Sequence, residues 1–151
     1  MKEKNSFKFR AWHKLNKIML DVIAINFSLM QITADIETRK IYPELDYWWK
    51  ETDIPFSEIV LMQSTGLKDK NSAEIFEGDI IIDHYLLNNM NGAYFAVVKN
   101  YNYFYLKMIR NGEICNNIIN PMMFDKHAYL NGVEVVGNIY ENPELIEVEC
   151  N

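Results

Sequence analysis

Residues 58–83 read EIVLMQSTGLKDKNSAEIFEGDIIID, and the fold class follows from them. Ile59 to Gln63 is a short run of strand-forming residues, and Ser64, Thr65 and Gly66 are turn formers. Lys68 to Ser72 is a wholly polar tip, in which Asp and Asn side chains can bond their own backbone. Ile75 to Asp83 returns as an apolar run interrupted by Gly78 and Asp79, the mark of a bulge or a close backbone approach. Strand, polar tip, strand is a β-hairpin.

The same grammar extends in both directions. Upstream, Phe7, Phe9 and Ala11 alternate with Lys8, Arg10 and Trp12, the period-two signature of a strand. A polar turn over His13–Lys17 leads to a second β-rich run, Met19–Leu29. Ile32–Tyr42 reads as a further strand pair, turning near Glu37–Arg39. Pro43 with Leu45, Trp48 and Trp49 suits a short helix, although the aromatic run could equally be extended. Downstream, Tyr94–Val98 is a strand. Tyr103–Ile109 and Glu113–Ile119 flank Asn111-Gly112, a strong hairpin signal. Asn120–His127 could form one helical turn, and Val133–Tyr140 is the last strand. The expected fold is mainly β with minor helix: a small SH3-like barrel in the C-terminal half, packed with an N-terminal β-hairpin region. One domain over 1–151 is expected, with two possible lobes, 1–56 and 57–151.

Composition narrows the function. The chain has 151 residues, 49% apolar and 24% charged, which suits a globular core rather than disorder. Two cysteines, Cys115 and Cys150, make no disulfide framework and no zinc spacing. No export signal or apolar span is visible, so a cytoplasmic location is expected. The net charge of −6 is unevenly spread. Residues 1–17 carry six bases and one acid, whereas five Glu and no base follow from position 134. The acid excess opposes nonspecific phosphate binding. The basic front and acidic tail could pair within a subunit or between neighbours.

Three segments together resemble the YopX family of phage and prophage proteins. They are Lys8-Phe9-Arg10-Ala11-Trp12, the block Leu61–Asn71 continuing through Glu74–Ile80, and Val136–Leu145. The family usually places Gly after Lys-Asp-Lys-Asn, where this chain has Ser72. Serine tolerates positive φ poorly, so a different loop is expected there. The resemblance implies a phage-encoded, β-rich, oligomeric protein, and it brings no catalytic residues with it.

Candidates for chemistry are sparse. Asp79, Asp83 and His84, or Asp125 and His127, lack the spacing of a metal site, and no cofactor or metal is expected. Asp69, Asn71 and Ser72 miss the calcium-loop glycine. Ser64-Thr65-Gly66 lacks a nucleophile elbow, and Glu77 with Asp79 are carboxylates without an evident cleft. An enzyme is therefore not the expectation. The aromatics stand out: Trp12, Tyr47, Trp48, Trp49, Tyr101, Tyr103 and Tyr105 either fill the core or form an interface. Lys8, Arg10, Trp12, Tyr47, Trp48 and Trp49 are the candidate interaction surface. The leading expectation is a self-assembling phage accessory protein that binds a host or phage protein. The alternative is a nucleic-acid-binding small barrel using the Lys8/Arg10/Trp12 face.

Overall fold

In the computed structural model, residues 8–45, 50–83, 94–101, 103–121 and 132–147 are described. The chain forms two compact units, Met1–Gln63 and Ser64–Asn151. Both are built from antiparallel strands.

In the first unit β1 (Phe9–His13), β2 (Ile18–Asn26), β3 (Gln31–Ala34), β4 (Thr52–Pro55) and the start of β5 (Ile59–Lys68) lie in the order β4-β3-β2-β1-β5. The register explains the core. Ala11 stands between Leu20 and Leu61, and Ile32 between Ile25 and Ile54, so their side chains share one face of the sheet. Ala11, Leu20, Ile32, Ala34, Ile54 and Ile59 are buried there with Ile41. Ile41 comes from a single helical turn, α1 (Thr38–Ile41). The strand pair expected over Ile32–Tyr42 is thus a strand followed by a helical turn, and the partner of β3 is β4. The reason is long-range: Ile41 has an apolar cluster to enter, and the Thr52 hydroxyl lies 2.7 Å from Ile36 O and 3.1 Å from Thr38 Oγ1. Pro43 and Glu44 form a turn rather than the start of a helix.

The second unit holds β6 (Glu74–Phe76), paired with the end of β5, and a sheet in the order β10-β9-β8-β7-β11. Its strands are β7 (Asp79–Asp83), β8 (Tyr94–Asn100), β9 (Tyr103–Arg110), β10 (Glu113–Pro121) and β11 (Val133–Asn138). The described strands leave β10 and β11 as edges, so the sheet is not closed into a barrel. Ile81, Phe95, Val97, Leu106 and Val133 are buried with Ile75 of β6 in one cluster. Ile80, Ala96 and Ile109 form another, joined by Ile139, Leu145 and Ile146 from the turns after β11.

Ser64-Thr65-Gly66 does not turn the chain. β5 runs on through these residues with a register shift against β6, and Gly66 takes φ +75°. The hydroxyls explain why: Gly66 N–H donates to Ser64 Oγ and Leu67 N–H to Thr65 Oγ1, which keeps a bulged strand satisfied. The single run expected over Ile75–Asp83 is broken by a turn at Glu77–Gly78, where Gly78 has φ +82°. The Asn111-Gly112 hairpin is as expected, with positive φ at both residues, the requirement of a type I′ turn. Of the helical turn expected over Asn120–His127, Asn120 and Pro121 belong to β10; the remainder lies outside the described residues.

Candidate interaction surfaces

Among the described residues, the polar side chains weighed as candidates for chemistry, Asp69, Asp79, Ser64 and Thr65, bond to the scaffold. Asp69 is 6% exposed. Its Oδ1 accepts from Asn71 N–H and Ala73 N–H, both at 2.8 Å, and its Oδ2 accepts from Val135 N–H at 3.1 Å. The carboxylate therefore closes the β5–β6 tip and ties it to β11, where Lys70 N–H also donates to Val133 O and the Lys70 ammonium pairs with Glu134. Ser72 completes this tip at φ +68°. Serine here adopts the left-handed conformation that glycine usually supplies, and the turn survives.

Asp79 is likewise buried. Its Oδ2 accepts from Phe76 N–H at 2.7 Å, and Asn138 Nδ2 lies 3.4 Å from Oδ1. Ser64 Oγ donates to Glu74 at 2.6 Å and Thr65 Oγ1 to Ile75 O at 2.8 Å, so neither hydroxyl is poised as a nucleophile. After β11, Asn142 Oδ1 accepts from Asn138 N–H at 3.2 Å. A Cβ on Gly137 would come within 2.7 Å of both Asn142 Oδ1 and Leu145 Cδ1, so only glycine lets this turn fold back onto the strand.

The first unit contains a polar cluster that sequence reading missed, because its members are far apart along the chain. Buried His13 accepts at Nδ1 from Asn16 N–H, 3.1 Å away, which places its proton on Nε2. Nε2 stands 3.4 Å from Glu58 Oε2 without hydrogen-bond alignment. Tyr42 OH donates to the same oxygen at 3.0 Å. Burial, the hydrogen bond to Glu58 and its charge push the Tyr42 phenol up to about 12. With both His13 nitrogens turned toward protein atoms, the imidazole has no face for a substrate. Beside Tyr42 lies a cavity of about 540 Å³ reaching Thr33, Thr38, Lys50, Glu51 and Asp53. Its Thr33 hydroxyl is already given to Asp53 at 2.6 Å. Among the described residues no three His, Cys, Asp or Glu side chains are grouped to hold a metal. The side chain of Asp83, together with His84, Asp125 and His127, lies outside them.

The exposed apolar side chains sit mainly on hairpin ends. Four are in the β2–β3 hairpin: Ile23 (52% exposed), Phe27 (71%), Leu29 (64%) and Met30 (58%). The turn is well defined: Leu29 N–H donates to Asn26 Oδ1, Met30 has φ +54°, and Phe56 N–H donates to Met30 O at 2.9 Å. The Phe27 ring meets Phe56 edge-on at 6.0 Å. From Val22 to Ala34 no residue is charged. Two more are at the β8–β9 end, Tyr101 and Tyr103, and Leu15 is exposed at the β1–β2 turn.

Of the surface expected from sequence, Lys8 is exposed, Arg10 is half-buried opposite Asp21 and Met62, and Trp12 is 9% exposed between Met19 and Val60. Alternation sets Arg10 and Trp12 on one face of β1, with the indole covered. Tyr47, Trp48 and Trp49 lie outside the described residues. Among the described residues no helix is long and apolar enough to cross a membrane.

Among the described residues, then, buried polar groups secure turns of antiparallel sheets, and exposed apolar groups gather mainly at hairpin ends. The YopX protein family matches over residues 8–147, and the chain belongs to that family. No curated protein matches it. Its structure is similar to the crystal structure of protein EF1440 from Enterococcus faecalis, with 27% identity, a TM-score of 0.59, and coverage of 94% of this chain and 99% of that one.

Proposed function

We propose that this chain is a phage-encoded accessory protein that works as a self-assembling, protein-binding module in the host cytoplasm, and not as an enzyme. One observation carries the reading: the charge-free stretch Val22–Ala34 of the β2–β3 hairpin holds Phe27, Leu29 and Met30 in a fixed turn with their side chains in water. Apolar groups clustered in this way are a common mark of a contact surface. Charge favours a second copy as the first occupant. Met1–Gln63 has nine bases and nine acids, whereas Ser64–Asn151 has six bases and twelve acids. Copies meeting through the neutral first unit avoid the mutual repulsion of the second. A host or phage protein would be bound by the assembly so formed. In this reading the five-stranded sheet of the second unit is an open relative of the small SH3-like barrel.

Light scattering after size exclusion at micromolar concentration tests the assembly. The expected result is an oligomer for the parent chain and a monomer for Phe27→Ser/Leu29→Ser. A parent chain that is monomeric throughout, or an oligomer indifferent to the double substitution, refutes the proposal.

A further inference from the structure

We infer that the β8–β9 hairpin is a binding surface for single-stranded nucleic acid, using residues distinct from the β2–β3 tip. The first support is charge. Residues 94–112 contain Lys99, Lys107 and Arg110 and no acid, while the rest of the second unit has three bases and twelve acids. A stretch of net +3 inside a unit of net −6 is segregated along the chain, with Lys107 on one face of the hairpin and Lys99 and Arg110 on the other, and a polyanion is its natural complement.

The second support is geometry. Asn100 pairs with Tyr103 across the turn, and Tyr101 takes φ +53° with 88% of its surface exposed. On β9, Tyr103, Tyr105 and Lys107 fall on one face by the strand alternation. The rings of Tyr103 and Tyr105 meet edge-on at 6.5 Å. Two residues of strand span about 7 Å, so Lys107 stands about 7 Å from Tyr105 and about 14 Å from Tyr103 along β9. Phenol rings at a strand end followed by a cation on the same face are what an unpaired strand needs: a stacking platform for bases, then a partner for the backbone. Duplex DNA fits less well. Its base faces are stacked away, and the one α-helix among the described residues is four residues long, too short to read a major groove. An acidic peptide would match the charge and leave the exposed rings without stacked partners.

The test is fluorescence anisotropy of labelled 20-mers of dT and rU against the full chain, beginning at 50 mM salt. Binding is expected, weakening with salt at a log–log slope of about −0.7 per phosphate contacted. Tyr101→Ala and Tyr103→Ala should each weaken it at least fivefold. Tyr103→Phe should retain it, which separates stacking from loss of a hydroxyl contact. Lys107→Gln should flatten the slope by about 0.7. Tyr101 and Tyr103 are exposed, so their variants fold. Flat anisotropy at low salt, indifference to Tyr101→Ala, or equal competition by poly-glutamate each overturns the inference.

Discussion

Replacing Asp69 separates two tasks performed by one carboxylate. Asp69→Ala strips acceptors from three backbone N–H groups, those of Asn71, Ala73 and Val135. The first two belong to exposed residues, and water can replace their acceptor, at a cost of about 0.5–1 kcal/mol each. Val135 is half-buried, and leaving its N–H unmet costs about 1–2 kcal/mol. The expected loss is about 3 kcal/mol, which at a urea slope of ~2 kcal/mol/M lowers the midpoint by about 1.5 M. Asp69→Asn keeps an oxygen for the tip and turns an NH₂ toward Val135 N–H, so it should cost about half as much. Far-UV circular dichroism is the right probe. All three tryptophans, Trp12, Trp48 and Trp49, belong to Met1–Gln63 and none to the unit that carries Asp69. An Asp69→Ala protein within about 0.5 kcal/mol of the parent, or an Asn variant as costly as Ala, refutes this account of the carboxylate.

Gly137→Ala should destabilise the second unit by about 1–3 kcal/mol, because its Cβ displaces Asn142 and Leu145. Adding Leu145→Ala makes room, so the pair should cost less than the two changes apart, as a double-mutant cycle in urea would show. The raised phenol of Tyr42 adds stability that is complete below pH 10 and lost as pH climbs to about 12. Thermal melts between pH 8 and 12 should therefore fall less steeply for Tyr42→Phe than for the parent across that window.

Much of the fold could be read before any coordinates. Period-two alternation placed β1, and Asn111-Gly112 placed the β9–β10 turn, since both signals are local. The Asp69 tip was readable for the same reason. What escaped depends on distant partners. Ser64-Thr65-Gly66 has turn composition, yet the Ser64 and Thr65 hydroxyls bond Glu74 and Ile75 and hold a bulged strand instead. Thr38–Ile41 carries no helix signal of its own and depends on the apolar cluster that receives Ile41. The surfaces were legible only in part. Aromatic excess was plain in the composition, but which rings face water is decided by position in the sheet. Trp12 lies in a strand flanked on both sides, whereas Tyr101 sits at a hairpin end. The charge-free span from Val22 to Ala34 was visible in the sequence and gains meaning only because its turn faces solvent.

The Gly78 peptide has a consequence for biosynthesis. Its N–H donates to Val97 O and its carbonyl accepts from Ile139 N–H, so one glycine waits for chain made nineteen and then sixty-one positions later. The strands of Met1–Gln63 can pair as soon as they leave the ribosome. The other sheet stays unfinished until its final strand and the turn beyond it have been translated, and until then its apolar rows are open to misassociation.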